Sequence, residues 1–183
     1  MSEELMIREA SPTLAGIKTG SLFNCAFDSR EEMLEDVRSL NRSLLEKGLC
    51  MLPLRFTEGR ALLYLFRAAF LRRDLADAES RRLLREAGYR RAEFPYCLTE
   101  LCKRLNSCSE FPHEIGLFLG YPPEDVRGFI ENGARGSLLT GCWKVYGDVD
   151  AARKRFAEFK RCTEDYSRQH ACGRSVLQLA VRI

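Results

Sequence analysis

The residues with most chemical reach are two histidines and eight cysteines, and they do not gather into a recognisable catalytic or metal-binding set. His113 is followed directly by Glu114. Such a pair could do acid–base work at a helix N-terminus, where the positive end of the helix disfavours imidazolium and a carboxylate alongside offsets the effect. The competing structural reading has Glu114 complementing the helix dipole and His113 as a partly buried hydrogen-bonding residue. Cys142, Lys144 and Tyr146 alternate along the chain. On an extended strand that spacing puts a thiol, an amine and a phenol on one face, with Lys144 as an anion ligand or a nucleophile. The alternative is a solvated or helix-covered sheet face with Lys144 reaching out to water.

The cysteines are read mainly as small buried apolar residues with reduced thiols. Cys97, Cys102 and Cys108 are separated by four and five residues, which matches neither a zinc knuckle nor a Cys-x-x-Cys redox pair. His170 and Cys172 could join Cys162 only at an irregular helix end, because positions two apart on a helix do not face each other. One histidine or cysteine is enough to ligate a haem, and no pattern here supports one. No metal ligands are assigned, and the cofactor is unknown. Lys18 lies between Gly16 and Gly20 in a tight loop that lacks the Gly-Lys-Ser/Thr ending of a phosphate-binding loop.

These groups need elements to hold them. HEIGLFLGYPPEDVRGFI, beginning at His113, has the cadence of a helix-turn-helix. Helices are expected over His113–Leu119 and from Pro122-Pro123 to Asn132, with Val126, Phe129 and Ile130 inward. Glu124, Asp125 and Glu131 outnumber Arg127 on the second helix, and acid there would repel a nucleic-acid backbone. A packed helical hairpin is therefore preferred to a DNA-binding regulator. Leu138–Tyr146 follows as a strand that carries the single tryptophan, Trp143.

Upstream, Glu3 to Arg8 begins a short helix that should stop before Pro12, and Ser21–Phe27 reads as a strand. Ser29–Lys47 is a helix opened by a Ser29/Glu32 capping box, with Leu34, Val37, Leu40, Leu44 and Leu45 on one face. A β-hairpin, 49–56 and 61–67, is expected around a four-residue loop, Thr57 to Arg60, and Pro53 marks an edge or bulge. Helices follow at Asp77–Ala87 and Leu98–Leu105. Asp148 caps a long helix to about Ala171, whose basic side is interleaved with acid as on a solvated face. The tail from Ser175 suits either a strand or a short helix. Strands and helices without regular βαβ order give an α+β fold, a single domain with a small, mostly antiparallel sheet of three to five strands. The sheet is expected to combine the strand after Lys18, the hairpin and the Leu138–Tyr146 strand.

Bulk properties agree with a globular domain: 183 residues, 45% apolar and 30% charged. A net charge of +3 is too small to argue for nucleic acid or a membrane. The acidic, polar start MSEELMIREA is unlike a secretory signal, so a cytoplasmic location is expected.

Three stretches carry a resemblance: SPTLAGIKTGSLF, then PHEIGLFLGYPPEDVRGFIENG, then GCWKVYGD before a basic helix. In order and spacing they resemble domain-of-unknown-function family 3793, small bacterial proteins found mainly in anaerobic Gram-positive bacteria. The resemblance covers nearly the full chain and implies a domain of about this length with no established activity or cofactor. It puts weight on Lys18, His113, Glu114, Gly120, Tyr121, Trp143, Lys144 and Tyr146 without assigning roles. Together these readings point to a binding or regulatory module. Its small ligand or protein partner would sit in a cleft between the 112–121 helix, the Lys18 loop and the Trp143–Tyr146 strand. The alternatives are an enzyme or redox protein using His113, Glu114 or a reduced cysteine, and a helix-turn-helix regulator.

Overall fold

The computed structural model describes residues 2–91, 93–107 and 111–183; Cys108 lies outside them. In chain order its elements are α1 (Glu3–Leu14), β1 (Gly20–Ala26), α2 (Arg30–Leu45), β2 (Leu49–Thr57), β3 (Arg60–Arg67), α3 (Ala68–Ala76) and α4 (Ala78–Glu86). There follow α5 (Phe94–Ser107), α6 (Ile115–Phe118), α7 (Pro123–Asn132), β4 (Leu139–Thr140), β5 (Lys144–Val145), α8 (Val149–Ala171) and α9 (Val176–Leu179). The fold is α+β. The chain divides into two compact units, Met1–Ala69 with Phe159–Ile183, and Phe70–Glu158. Among the described residues no helix is long and apolar enough to cross a membrane.

The first unit is built on β3. Its sequence, RALLYLFR, is apolar almost without alternation, and the strand is buried from Leu63 to Arg67 because it is central. β1 and β2 flank it, both antiparallel, in the order β1-β3-β2. Pro53 lies on the edge strand β2, where the register shifts before Arg55. Thr57 pairs with Arg60, so the hairpin loop is the two residues Glu58 and Gly59, shorter than expected; Gly59 supplies φ 66°. On the open edge of β2, Asn41 of α2 closes two bonds with Met51, giving to its carbonyl and taking from its N–H, each 2.8 Å.

α1 does not stop before Pro12 but runs through it to Leu14. Proline here forgoes one bond in the last turn, and burial of Met6, Ile7, Ala10 and Leu14 in the core outweighs that loss. Ser29 caps α2, accepting from Glu32 N at 3.3 Å, but the expected capping box is only half made: the Ser29 hydroxyl donates to Glu31 Oε2, and no return bond to the Glu32 carboxylate is present among the described residues. Met33, Val37 and Leu44 are the buried residues of that helix, while Leu45 is 60% exposed. The tail is the helix α9, opened by a Ser175/Gln178 capping box. Tyr166 of α8 donates to Leu179 O at 3.0 Å and fixes it.

Arg67, at the end of β3, is 1% exposed. Its guanidinium donates to four carbonyls: Thr13 (2.8 Å), Leu14 (2.6 Å), Lys47 (3.1 Å) and Val181 (2.9 Å). Those oxygens lie at the C-terminal ends of α1 and α2 and on the tail, where helix carbonyls have no partner of their own. One buried cation thus ties three chain segments together.

The second unit is mainly helical. Asp77 caps α4 through Glu79 N and Ser80 N, and Asp148 caps α8 through Asp150 N and Ala151 N, both at 3.0 Å. The expected single strand Leu138–Tyr146 is instead a hairpin of its own, separate from the three-stranded sheet. β4 pairs with β5 through Leu139 with Val145 and Thr140 with Lys144. Gly141 permits the reversal; a Cβ there would run into the ring of Phe156.

Candidate functional site

α6, α7 and the β4–β5 hairpin approach one another closely because glycines stand at their contacts. A Cβ on Gly116 would come within 2.8 Å of Val126 Cγ2 and 3.2 Å of Tyr121 Cδ2. Gly128 of α7 faces the ring of Tyr146, where a Cβ would lie 2.6 Å from Tyr146 Cβ. Gly120, at φ 76°, makes the bend between the two helices, and Tyr121 N returns to Gly116 O at 3.0 Å.

Asp125 brackets the hairpin onto α7. It is 3% exposed. Its Oδ2 accepts from the indole Nε1–H of Trp143 at 2.7 Å, and its Oδ1 accepts from Tyr146 N at 2.7 Å and Gly147 N at 2.8 Å. Three charge-assisted bonds offset the burial of one carboxylate. From sequence, Asp125 was only one of the acids that argue against nucleic-acid binding; nothing in a single sequence points to this bracket.

Between these elements lies a pocket of about 370 Å³. Its walls carry the rings of Phe111, His113, Tyr121, Phe129 and Trp143, with Ile115 and Val126 as aliphatic lining. Tyr121 stacks on Trp143 at 4.9 Å and 27°, and Phe156 meets the indole edge-on at 4.5 Å. His113 stands edge-to-face on Phe129 at 4.9 Å. Among the described residues Lys144 is the one lining residue with an ammonium, which donates to Thr140 Oγ1 at 3.2 Å. Tyr121 donates its hydroxyl to Cys142 O at 3.2 Å, and burial, followed by the nearby Cys142, pushes its phenol up to about 12. It is a neutral donor throughout the physiological range.

Of the residues expected at a site, His113, Tyr121, Trp143 and Lys144 line this pocket. His113 is neither within α6 nor partly buried: it stands exposed in the turn before a helix that begins only at Ile115. Among the described residues its ring has no hydrogen-bond partner. Glu114 is buried and its carboxylate is committed elsewhere, accepting from Tyr89 OH at 3.1 Å and lying 3.6 Å from Arg104 Nη1. Burial and the Glu114 charge raise the Tyr89 phenol above its ordinary range. Cys142, Lys144 and Tyr146 do not act as one strand face, because the chain turns at Gly141 and Cys142. Cys142 is exposed near the hairpin tip, and Tyr146 packs on Gly128 and donates its hydroxyl to Gly133 O. Lys18 belongs to the first unit, where Ile17 N and Lys18 N both turn back to Pro12 O and its ammonium lies 5.9 Å from the Phe159 ring. Among the described residues no group of three or more His, Cys, Asp or Glu is placed to hold a metal ion.

Val126 and Phe129 were expected to point inward; Val126 is buried at 4% exposure, Phe129 is half-buried, and both also line the pocket. Ile130, also expected inside, is 42% exposed.

No curated protein and no solved structure shows a significant match to the chain. The family model described as "Protein of unknown function (DUF3793)" matches residues 6–180, nearly the whole chain, and the chain belongs to that family.

Proposed function

We propose that the second unit is a binding module that holds a small, flat, largely apolar ligand in the pocket between α6, α7 and the β4–β5 hairpin. The observation that carries this reading is the wall itself: five rings around about 370 Å³, a volume within the usual range for small-molecule sites. Lys144 at this wall favours a ligand with one acidic substituent, which would leave the rest of the molecule against the rings. Binding is preferred over acid–base chemistry because Glu114, the partner that His113 would need, is held by Tyr89 and Arg104.

Trp143 is the chain's one tryptophan and lines the pocket, so its emission reports on occupancy without a label. Benzoate, phenylacetate and cyclohexanecarboxylate, titrated beside their neutral amides, should shift that emission saturably, with the acids tighter. Phe129→Ala should weaken all of them, and Lys144→Gln only the acids. An emission that never saturates, or saturable binding unaffected by both substitutions, refutes the proposal.

A further inference from the structure

Twelve arginines lie in the second unit; four stand beside carboxylates, and of the eight with no ion pair among the described residues, four gather at one place. Arg73, Arg82, Arg104 and Arg127 each lie within ion-pair distance of a carboxylate: Asp74, Glu79, Glu100 and Glu79 respectively. Arg72, Arg81, Arg90 and Arg91 have no such partner among the described residues, and all four line one concavity of about 650 Å³. They reach it from three places: α3 gives Arg72, α4 gives Arg81, and the segment between α4 and α5 gives Arg90 and Arg91.

Among the described residues Glu93 is the one acidic residue in that wall. Four arginines against one glutamate leave a charge of +3, which is the formal net charge of the whole chain. Like charges gathered so closely repel, and a concave wall focuses their field on whatever enters. Two of the guanidiniums are also held: Arg72 over the Phe94 ring at 5.8 Å and Arg91 over the Tyr96 ring at 4.2 Å. A guanidinium attracted to an aromatic face keeps its N–H donors for a ligand.

We propose that this concavity binds a small ligand carrying a pyrophosphate or two phosphate groups. A single carboxylate offers too few acceptor positions for four N–H forks, whereas two linked phosphates match them in charge and in oxygen count. The volume is large enough for the organic part of such a ligand, with Phe94 beside it.

The test is calorimetric titration of the full chain with inorganic pyrophosphate, orthophosphate and sulfate at two salt concentrations. Pyrophosphate should bind one to one, about tenfold or more tighter than the single anions, and weaken with salt. Arg81→Gln and Arg90→Gln should each cost about tenfold, while Arg85→Gln, on α4 but outside the lining, should change nothing. All three positions are exposed, so folding is expected to survive, and circular dichroism checks it. The proposal is overturned by absence of saturable binding, or by an equal loss in Arg85→Gln. It is likewise overturned if an RNA oligonucleotide or anionic vesicles bind here without competition from pyrophosphate.

Discussion

Asp125→Asn is the substitution that most directly tests how the pocket is held. The change is nearly isosteric, so packing is retained and only charge and hydrogen-bond polarity differ. The aspartate takes two backbone N–H groups on Oδ1 and the Trp143 indole on Oδ2, all between 2.7 and 2.8 Å. An asparagine can keep its carbonyl toward Tyr146 N and Gly147 N. Its amide then faces the indole N–H, donor against donor, in a site that is 3% exposed. A hydrogen bond to a charged group contributes about 1.5–3 kcal/mol, and the two retained bonds lose their charge assistance. Relief of the buried charge offsets part of this, leaving a loss of roughly 2–4 kcal/mol. In urea that is a fall of about 1–2 M in the unfolding midpoint for a protein of ordinary denaturant sensitivity. Trp143→Phe removes the indole donor and so removes the conflict. In that background Asp125→Asn should cost about 1–2 kcal/mol less, a coupling read from a double-mutant cycle by far-UV circular dichroism. A loss under about 0.5 kcal/mol in the parent chain, or no coupling to Trp143, would refute the bracket.

Other predictions concern the remaining buried groups. Arg67→Met should destabilise the protein by on the order of 4 kcal/mol in urea unfolding, because four carbonyls lose their donor at once, and Arg67→Lys should not rescue it, since a point-like ammonium cannot span them. A loss below about 1 kcal/mol for either variant would show that water or a neighbour replaces the guanidinium. In thiol labelling of the native protein with peptide mapping, exposed Cys142 and Cys172 should react quickly and Cys97 hardly at all. Burial pushes the Cys97 thiol up to about 11, leaving about 0.1% thiolate at pH 8. Cys97 labelling as fast as Cys142 would contradict its placement.

The helices that announce themselves by local rules were legible. Ser29, Asp77 and Asp148 all cap the helices they were expected to open, because capping is settled within four residues of sequence. The failures share a different cause. Pro12 and the Leu138–Tyr146 segment were judged by local chemistry, but tertiary packing decided both. Burial carries α1 through its proline. The ring of Phe156 leaves room for nothing beyond a glycine at 141, and so helps to place the reversal that makes a hairpin of an apparent strand.

The candidate site divides along the same line. Tyr121, Trp143 and Lys144 sit in the motifs that were singled out, and the pocket uses them. What sequence could not supply is the direction in which each polar group is spent. Glu114 and Asp125 are both acids near a helix start, a place where the helix dipole favours any carboxylate, so the sequence does not distinguish them. Only the fold shows that one is bound by a tyrosine and an arginine and the other by a tryptophan and two backbone amides. With the acceptor positions of both carboxylates taken up in this way, Lys144 and the exposed His113 are the charged or titratable groups of the pocket wall whose polar atoms are not committed to either bracket, while Asp125 also lines it. The proposed preference for an acidic ligand therefore rests on the Lys144 ammonium at that wall. The arginines of the second unit divide in a similar way: Arg73, Arg82 and Arg104 stand beside carboxylates, whereas Arg72, Arg81, Arg90 and Arg91 have none among the described residues and converge on the concavity proposed for an anion.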